Sequence, residues 1–521
     1  MSILKKAFAA AFPERALNRS VAKKKLDIMN SGYSNYGASK SKKSMLGWKA
    51  KGGSTKEDID GNVSTLRERS RDAYMGIPIA TGALKRMRTN AIGAGLRLNA
   101  TIDYEFLGMT EEEASTWETT VEREFSLWAE SLLCDSMQMN NFYDLQQIAF
   151  LSQLMSGEVF VLMPYLQNNK DMPYGTRIQL IEADRISSPN NKDSESIING
   201  VEVGKNGEVS AYHISQFHPL SKSQSEKKWM KVEKWGKKTE RLNILHLMEA
   251  ERPEQRRGVP ILSPVLESLK QLGRYSDAEL MAAVVSSMFT VFVKSETGED
   301  NPLESSYGED DQVDEDDPNS YELGTGSIIG LAEGESVEVA NPGRNNTSFD
   351  PFVTSICRQI GSAIEMPYEL LLMHFTSSYS ASRAALLEAW KRFRMQRTFM
   401  AIRFCQPIYE EWLTEAILLG RIDAPGFFDD PMIRKAYAGA EWNGPAQGQL
   451  DPLKEVNAAI KRVDNEFSTR AKETAELNGG DFWVNMPQRI AEEKARKEGG
   501  LDLVHNELLM QEGVGKDEDS H

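Results

Sequence analysis

The sequence predicts an α+β fold, in which helices and strands occupy separate stretches of the chain. Apolar residues recur every three or four positions from about residue 63 to 156, which is the spacing of helices with one buried face. From Gly157 to about residue 250 the spacing changes to two, which is the period of a β-strand. A block of helices followed by a block of strands is typical of the α+β class and not of a parallel α/β sheet.

Length, charge and cysteine content narrow the class of protein. The chain has 521 residues, enough for two to four structural units with a sizeable core. Its formal net charge of −16 argues against a protein that wraps or clamps nucleic acid, because the phosphates would repel it. Three cysteines in apolar surroundings, Cys134, Cys357 and Cys405, predict reduced core residues of a cytosolic protein.

Neither a membrane segment nor an export signal is expected. The first charges come too early, and the first apolar run is too short, for a secretory signal. The most apolar later window, Leu280–Val293, is shorter than the roughly 20 residues that span a bilayer. Residues 1–62 are basic and rich in Gly and Ser, which predicts a flexible arm that is either solvated or docked on an acidic neighbour or nucleic acid.

The first large unit, residues 63–260, begins with helices. Two helices joined by a turn are expected after Asn62, and Gly93 and Gly95 then bend the chain into an edge strand. These glycines are not a dinucleotide fingerprint, because no helix with a phosphate-facing start follows them.

Two more helices are expected before the strands begin. Thr110, followed by acids, predicts the start of a helix that runs to Met139, and Phe142–Met155 predicts another that Gly157 closes. The core candidates of the first of these helices are Trp117, Phe125, Leu127 and Trp128.

Six short strands follow and predict an antiparallel meander. The runs are GEVFVLMPY, TRIQLIEADRIS, INGVEVG, GEVSAYHIS, WMKVEKW and LNILHLM. His213, His218 and His246 lie in or beside them. None of the three has a second His or Cys at ligand spacing, so packing or surface positions are favoured over a metal site.

Two helices are expected on either side of an acidic insertion. Glu251–Pro260 is interpreted as a charged linker into a helix from Ser263 to about Ser287, after which MFTVFVKS predicts a strand. Glu296–Glu322 is rich in acids and contains neither Lys nor Arg. No register in it supplies both the ligands and the Gly of an EF-hand, so a solvated loop is expected. GSIIGLA and ESVEVANPG predict a strand pair that closes the insertion.

The stretch Phe349–Gly420 departs from the acidic character of the chain. Asp350 and Pro351 predict a helix start, and Pro367 predicts that this helix has ended by Met366. Its apolar stripe comprises Phe352, Ile356, Ile360 and Ile364, with Val353, Cys357 and Ala363 beside it.

A loop from Tyr368 to Ser380 leads into a second, longer helix. This helix runs from about Ala381 to Gly420, is kinked at Pro407, and would span roughly 55–60 Å. Its first two-thirds carry six cations and a single acid, Glu388. The cations are Arg383, Lys391, Arg392, Arg394, Arg397 and Arg403.

The C-terminal part is expected to be irregular to about Gly448 and then helical. Helices are predicted from Asp451 and from near Thr469, and the residues beyond Gly499 are expected to fray. Four motifs of nucleotide hydrolysis, hydrolytic nucleophiles or zinc ligation are missing from the chain: GxxxxGK[ST], GxSxG, HExxH and paired Cys-x-x-Cys. No catalytic residue, cofactor or metal site is therefore predicted.

Eight stretches, spread over residues 60–475, carry a resemblance to a known family. In chain order they are TLRERSRDAY, IPIATGAL, NAIGAGLRLNATI, ERPEQRRGVPILSPVLESLKQLGRYSDAELMAA, GLAEGESVEVANP, FVTSICRQIGSAIEMPYELL, SSYSASRAALLEAWKRF and EWNGPAQGQLDPLKEVNAAI. Each is unspecific alone, but in this order the chain resembles the lambda-type portal proteins of tailed bacteriophages. Gly76 and Ser378 stand where the family suggests Asn, which concerns loop detail only.

The resemblance implies a ring-forming portal fold with an α/β wing, a two-helix stem, a small β clip and a helical crown. The implied segments are a basic flexible arm (1–62), the wing (63–260), the first stem helix (261–287), the clip (288–348, with an acidic loop at 296–322), the second stem helix (349–366), the tunnel loop (367–380), the long wing helix (381–420), C-terminal wing and crown helices (421–499) and a flexible tail (500–521).

The resemblance also implies a function. Portal proteins of this kind form a dodecameric ring at one capsid vertex, the conduit for viral DNA packaging and ejection and the docking platform for terminase and head-completion proteins. The implied partners are other copies of the chain, the terminase large subunit, head-completion or adaptor proteins, major capsid and scaffolding proteins, and the double-stranded DNA in the channel. The implied location is the virion portal vertex, with the host cytoplasm during assembly and no membrane.

Three groups of site residues follow from this placement. The DNA-facing candidates of the tunnel loop are Tyr368, His374, Thr376, Ser377, Ser378, Tyr379 and Ser380. The candidates of the clip, facing terminase or adaptor, are Glu309, Asp310, Asp311, Asp314, Glu315, Asp316 and Asp317. The basic row of the long helix is the set of six cations named above.

Two roles are open for this basic row. Twelve copies would carry about −190 formal charges, so pairing between subunits is favoured over contact with phosphate. Reversing the charges of Arg394 and Arg397 together is then expected to abolish ring assembly. Other classes considered are a phage-encoded nuclease or maturation protease of the head, which lacks a catalytic constellation here, and a generic DNA-binding module, which the acidic composition disfavours.

Overall fold

The computed structural model describes residues 13–29, 43–45, 47–48, 52–166, 171–219, 221, 228–287, 291–295, 335–339, 349–375, 378–448 and 452–499. The chain forms two units, Met1–Gly61 and Asn62–His521. The first unit contains α1 (Pro13–Met29) and a π-helical turn (Lys56–Asp60). Pro13 and Glu14 suit the first turn of α1, but the composition of this arm had not predicted a helix.

The second unit opens with the two predicted helices and the predicted strand. They are α2 (Val63–Gly76), α3 (Pro78–Ala91) and β1 (Arg97–Ala100). Gly93 and Gly95 have φ of 59° and 116°, so the chain turns through conformations that favour glycine before it enters β1. The predicted bend into a strand is confirmed.

The next helices are α4 (Tyr104–Leu107), α5 (Glu111–Ala129) and α6 (Phe142–Ser156). Thr110 and Glu113 form a capping box at the start of α5. The prediction that this helix reaches Met139 is wrong. A 3-10 turn (Leu132–Cys134) follows it, and the Asp135 carboxylate accepts hydrogen bonds from the backbone of Met137 and Met139.

The core candidates of α5 are mostly confirmed. Phe125 and Trp128 are buried, and Trp117 is partly buried with its indole N–H donating to the carbonyl of Asp423 at 2.7 Å. Leu127, by contrast, is 52% exposed, because it lies on the solvent face beside the two buried rings. Its assignment to the core was wrong.

The strand block forms two antiparallel sheets and not one meander. The strands are β2 (Glu158–Leu162), β3 (Gln179–Glu182), β4 (Ile197–Ile198), β5 (Val201–Val203), β6 (Val209–Ser215), β7 (Trp229–Glu233) and β8 (Ile244–Met248). One sheet has the order β3-β2-β8 and the other the order β4-β5-β6-β7. Only the second is a meander, because β2 pairs with the distant β8, with Phe160 opposite His246.

Beyond the sheets, a 3-10 turn (Ser263–Val265) leads into α7 (Leu266–Ser287), which is followed by β9 (Val291–Ser295), β10 (Glu335–Val339) and α8 (Phe349–Ala363). β10 pairs with β9; the run GSIIGLA, predicted as its partner, lies outside the described residues. The ring of Tyr275 on α7 packs 5.4 Å from that of Phe349 and 4.8 Å from that of Phe352 on α8.

The apolar stripe of α8 is partly confirmed. Cys357, Ile360 and Ile364 are buried, whereas Phe352 is 46% exposed and Ala363 is also exposed. The helix starts at Phe349, slightly before the predicted start at Asp350 and Pro351.

The predicted loop after α8 contains a short helix, α9 (Tyr368–Leu372), and the long helix starts before Ala381. It comprises α10 (Tyr379–Met400), a π-helical turn (Ala401–Cys405) and α11 (Gln406–Leu418). The irregular turn ends two residues before Pro407, which has no N–H to bond the preceding turn. Gly420, with φ of 68°, follows its end as predicted.

The stretch from Gly420 to Gly448, predicted to be irregular, contains α12 (Pro431–Tyr437) and β11 (Ala440–Asn443). β11 pairs with β1, placing Trp442 opposite Leu98, so the first strand of this unit has a partner near its C-terminal end. Three helices complete the described chain: α13 (Pro452–Asp464), α14 (Arg470–Asn478) and α15 (Phe482–Glu498). Helices near residues 451 and 469 were predicted, whereas α15 was not separated from them.

The main core surrounds the second half of the long helix. The ring of Phe125 packs edge-on against Trp412 at 5.0 Å and Phe142 at 5.5 Å. The three cysteines are buried and free of disulfides, as predicted. Within the described ranges, no helix has the length and apolar character needed to cross a membrane.

Candidate functional site

The long helix has a basic first part and a buried second part. In α11, the side chains of Tyr409, Trp412 and Leu413 are fully buried. In α10, Trp390 and Phe393 point into the core while most of the cations lie toward the surface. Contacts with other molecules are therefore expected on α10 and the π-helical turn, and not on α11.

Arg397 is built into the packing of its own subunit. Its Nε donates to the carbonyl of Ala91 at 3.1 Å, and its Nη2 donates to that of Pro445 at 2.6 Å. Ala91 ends α3, where carbonyls lack partners within the helix, so the guanidinium acts as a cap. Burial, with the nearby charge of Arg394, lowers the pKa of Arg397 to about 10. Arg397 is thus a charged clamp between α3, the long helix and the segment after β11.

Three further cations of the basic row pair with acids of the same chain. Arg392 is largely buried and donates from Nη2 to a carboxylate oxygen of Glu249 at 2.9 Å. Arg383 and Arg394 are more exposed and make longer ion pairs, of 3.7 Å and 3.8 Å, with acids of α13 and α14. Exposed pairs of this length contribute little to stability, so these two cations can change partner at low cost.

The remaining cations of the row, Lys391 and Arg403, lie on the surface. Lys391 pairs with Glu388 at 2.6 Å, one turn earlier on the same exposed face. Arg403 is exposed in the π-helical turn, next to Ile402, which is also exposed. The structure thus separates the basic row into two internal cations, Arg392 and Arg397, and four that a neighbouring molecule can reach.

Two acids of α11 fasten the long helix to the sheets, and the sequence had not singled them out. The carboxylate of Glu415 is buried and accepts from the backbone N–H of Gly175 and, at 2.9 Å, of Thr176. Glu411 accepts from Arg241 Nε at 2.8 Å. The two acids lie one turn apart beside buried apolar residues of α11, but in the sequence this spacing looks like that of two solvated surface acids.

Part of the segment predicted as the tunnel loop is folded and anchored. The backbone carbonyl of Leu371 in α9 accepts from Arg86 Nη1 at 2.8 Å, and the Leu371 side chain is buried. The guanidinium of Arg358 lies over the ring of Tyr368, 4.6 Å from its centroid. Tyr368 is therefore half-buried and held by a stem-candidate helix.

Exposed residues of that loop are described on both sides of positions 376 and 377. Met373 ends α9 with φ of 54°, and the side chain of the following His374 is exposed. Ser378 caps the long helix, since its hydroxyl accepts from the N–H of Ala381 at 3.4 Å, and Ser380 is exposed in the first turn. Outside the described residues lie Thr376, Ser377, the side chain of Tyr379 and all the clip candidates, Glu309, Asp310, Asp311, Asp314, Glu315, Asp316 and Asp317.

A buried ion cluster, absent from the predictions, joins α2 to the first sheet. Glu158 at the start of β2 is fully buried and accepts from Arg67 of α2, from Arg257 Nε at 2.7 Å and from the N–H of Gly258 at 2.6 Å. His246 Nε2 lies 2.8 Å from the second carboxylate oxygen. Four separate segments therefore meet at one carboxylate.

Arg257 corrects the interpretation of residues 251–260 as a charged linker. Its side chain is buried, and it also donates to the carbonyls of Ala183 at 2.9 Å, Ile186 at 3.1 Å and Asn199. A buried guanidinium is tolerated when its N–H groups find acceptors in this way. The segment is thus a connector locked between the two sheets.

The charges of the cluster control its protonation. Burial alone would raise the pKa of Glu158, but the charges of Arg257 and Arg67 and the His246 hydrogen bond outweigh it and hold the pKa well below its usual range. Burial lowers the pKa of Arg67 to about 10, which leaves it protonated at neutral pH. Glu158 and Arg67 are therefore both ionised at physiological pH and form a buried ion pair.

The other two histidines of the strand region, His213 and His218, also lie beside acids. His213 Nε2 is 2.9 Å from a carboxylate oxygen of Glu202, and His218 Nε2 is 3.6 Å from one of Asp184. In the part of the chain that the structure describes, no group of three or more His, Cys, Asp or Glu residues is placed to hold a metal ion. His213 and His246 are largely buried and His218 is partly exposed, which agrees with the predicted packing or surface positions of the three histidines.

Helices packed with two antiparallel sheets, around one long helix, place the chain in the α+β class. Residues 41–397 match the family model described as phage portal protein, lambda family. Because this match covers more than half of the chain, the chain belongs to the lambda family of phage portal proteins. The resemblance noted from the sequence is confirmed at the level of the family.

Two known portal proteins are similar along most of their length. Portal protein B of Escherichia phage lambda is 25% identical over 459 residues, covering 84% of this chain and 85% of that protein. The portal protein of Escherichia phage N15 is 24% identical over 482 residues, covering 88% and 89%. Among solved structures, the neck of a native gene transfer agent particle and the virion of that particle each give a TM-score of 0.42 at 12% identity, covering 80% of this chain and 93% or 95% of the other.

Proposed function

We propose that this chain forms a dodecameric ring at one vertex of a phage capsid, through which viral DNA is packaged and ejected. The observation that carries the proposal is the family match over residues 41–397. The ring would also dock the terminase and the head-completion proteins, and contact the capsid and scaffolding proteins during assembly. Its role is structural and requires no catalytic residue.

The order of elements supports a division into wing, stem, clip and crown. α7 and α8 contact each other through Tyr275 and Phe349, as expected of paired stem helices. β9 follows the end of α7 and β10 precedes the start of α8, and the two strands pair. The segment between α7 and α8, residues 288–348, is in this proposal the clip, which faces terminase first and the adaptor later.

Charge supports a conduit to which DNA does not adhere. A ring of twelve copies would carry about −190 formal charges, which repels a passing duplex. The four exposed cations of the basic row then pair with acids of neighbouring subunits, and phosphate contact is the alternative. His374, Ser378 and Ser380 are the described residues of the tunnel loop that this proposal places toward DNA.

The ring itself is tested on the purified full-length chain by native mass spectrometry and negative-stain microscopy. Rings of about twelve subunits are expected. A chain that stays monomeric at concentrations where related rings form would refute the proposal.

The role of the basic row is tested by reversing two exposed cations, Arg394→Glu with Arg403→Glu. Loss of rings is expected, with an unchanged circular dichroism spectrum. The matched control is Arg69→Glu with Arg123→Glu, two exposed cations of wing helices. Normal rings from the first variant would refute subunit pairing and leave phosphate contact, and equal loss in both would show a general charge effect.

A further inference from the structure

We propose that α13 of one copy binds α15 of the neighbouring copy through two matched apolar stripes. The inference rests on the proposed ring and identifies one surface by which its subunits adhere. The partner is therefore a second copy of this chain, and the chemistry is helix-to-helix packing of apolar side chains.

The first stripe lies on α13. Leu453, Val456 and Ile460 follow each other at spacings of three and four residues, which places them on one helix face. They are 74%, 41% and 51% exposed, so the stripe is not covered by the described parts of its own chain. Apolar residues at these spacings are the pattern by which a helix packs against another helix.

The second stripe lies on α15 and repeats the same spacing. Trp483, Met486 and Ile490 are again three and four residues apart, and they are 62%, 37% and 61% exposed. At 1.5 Å per residue, each stripe is about 10 Å long. Two stripes of equal length and period can interdigitate along their whole extent.

α15 needs a packing partner to be stable. It is 17 residues long, contains Pro487, and has no buried residue. A helix of this length is marginal in water without tertiary packing, and an internal Pro weakens it further. Its side-chain pairs one turn apart, such as Gln488 with Glu492 at 3.0 Å, contribute only a few tenths of a kcal/mol each.

The charge of this region favours a second copy as the partner. Residues 452–499 contain nine Lys or Arg and nine Asp or Glu, a net charge of zero, so the whole surplus of −16 lies elsewhere in the chain. Identical copies that meet through the acidic remainder repel each other, whereas the 452–499 surfaces can approach closely. A surface without net positive charge also does not attract phosphates.

The two stripes also have the geometry of a ring contact. A contact between α13 of one copy and α15 of the next uses two different surfaces, so a copy that binds one neighbour through α13 keeps its α15 free for the other neighbour. Such head-to-tail contacts close into rings when the rotation between copies is right.

The test compares two stripe variants of the full chain, Leu453→Gln with Ile460→Gln and Trp483→Gln with Ile490→Gln. The control is Met75→Gln with Leu132→Gln, whose side chains are 77% and 50% exposed on the wing. A dilution series followed by native mass spectrometry should show the half-assembly concentration raised at least tenfold in both stripe variants and unchanged in the control.

The outcomes separate the two proposals. A wild-type chain that forms no rings counts against the proposed function. If the wild type forms rings and the stripe variants assemble like the control, the stripe contact is refuted and the proposed function stands.

A labelling experiment identifies what covers the stripe. The three native cysteines are buried, so a maleimide should react first with an Ile460→Cys variant. Labelling is expected to be at least tenfold slower in rings than in the dilute, unassembled chain. Equal rates would overturn the proposal. A second result would also overturn it: the unassembled chain is labelled slowly, and removal of residues 500–521 makes the labelling fast. In that case the tail of the same chain, and not a neighbouring copy, covers the stripe.

Discussion

Replacing Glu158 by Gln should strongly destabilise the packing of α2 on the first sheet, because this carboxylate neutralises two buried guanidinium groups. Arg67 and Arg257 are both buried and both bond Glu158. Removing one partner of a buried ion pair costs about 3–5 kcal/mol, since the remaining charge stays desolvated. We therefore expect the free energy of unfolding to fall by at least about 3 kcal/mol, measured by urea titration of the dilute chain at pH 7 with tryptophan fluorescence.

The matched control is Glu233→Gln, on β7 of the second sheet. Glu233 is 30% exposed and pairs with Lys237 at 3.0 Å, so its replacement should cost less than about 1 kcal/mol. A loss for Glu158→Gln within about 1 kcal/mol of this control would refute the structural role of the cluster.

The pH dependence of the Glu158 effect has a definite sign. The pKa of Glu158 is lower in the folded than in the unfolded chain, so its contribution is complete above the unfolded value of about 4.3 and is lost as pH falls toward the folded value. The difference between wild type and variant should be constant from about pH 6 to 8 and shrink only in acid. A difference that changes within the neutral range would contradict this assignment.

Three further changes test the other internal contacts. Arg397→Met should lower the free energy of unfolding by about 2–3 kcal/mol, because the carbonyls at the end of α3 lose a charged donor, whereas Arg394→Met should cost less than about 1 kcal/mol in the same titration. Glu415→Gln should cost about 1–3 kcal/mol, since an amide places an NH₂ group against a backbone N–H, and the exposed Glu388→Gln should cost almost nothing. Glu122 of α5 accepts from the N–H of Ala100 at 2.8 Å, and burial raises its pKa to about 7, so its contribution to stability should fall as pH rises from about 5 to 7. The loss of stability between pH 5 and pH 8 should therefore be smaller in Glu122→Gln than in the wild type, as urea titrations at the two pH values would show.

Elements with local signals were predictable from the sequence. The capping boxes of Thr110 with Glu113 and of Asn141 with Asp144, and Gly157 with φ of 83°, mark helix ends through residues a few positions apart. Alternation likewise located most strands between residues 157 and 250, whereas β11 lies in a stretch that was predicted to be irregular. The pairing of β2 with β8 was not predictable in this way, because the paired residues are some 85 positions apart in the sequence. All four strands of the second sheet lie between them along the chain.

The buried cluster escaped prediction for a related physical reason. ERPEQRRGVP has the composition of a solvated linker, and a buried Arg is stable only if acceptors from other segments surround it. Those acceptors, Glu158 and the carbonyls of Ala183 and Ile186, are more than 70 residues away. A single sequence does not show that these distant residues come together. The short helix α9 was missed for another reason, because five residues are too few to show a helical period.

The arginines of the basic row differ in burial according to the helix face on which they lie. Arg397 follows the buried Phe393 by four positions and precedes the buried Met400 by three, so helical spacing alone places it toward the core. Arg394 and Arg403 fall on other faces and are exposed. A charge reversal that includes Arg397 would therefore break a clamp within the subunit as well as any contact between subunits, and loss of rings would not reveal which contact mattered. The pair Arg394 and Arg403 leaves that clamp intact, so a loss of rings from its reversal reports on the subunit interface itself.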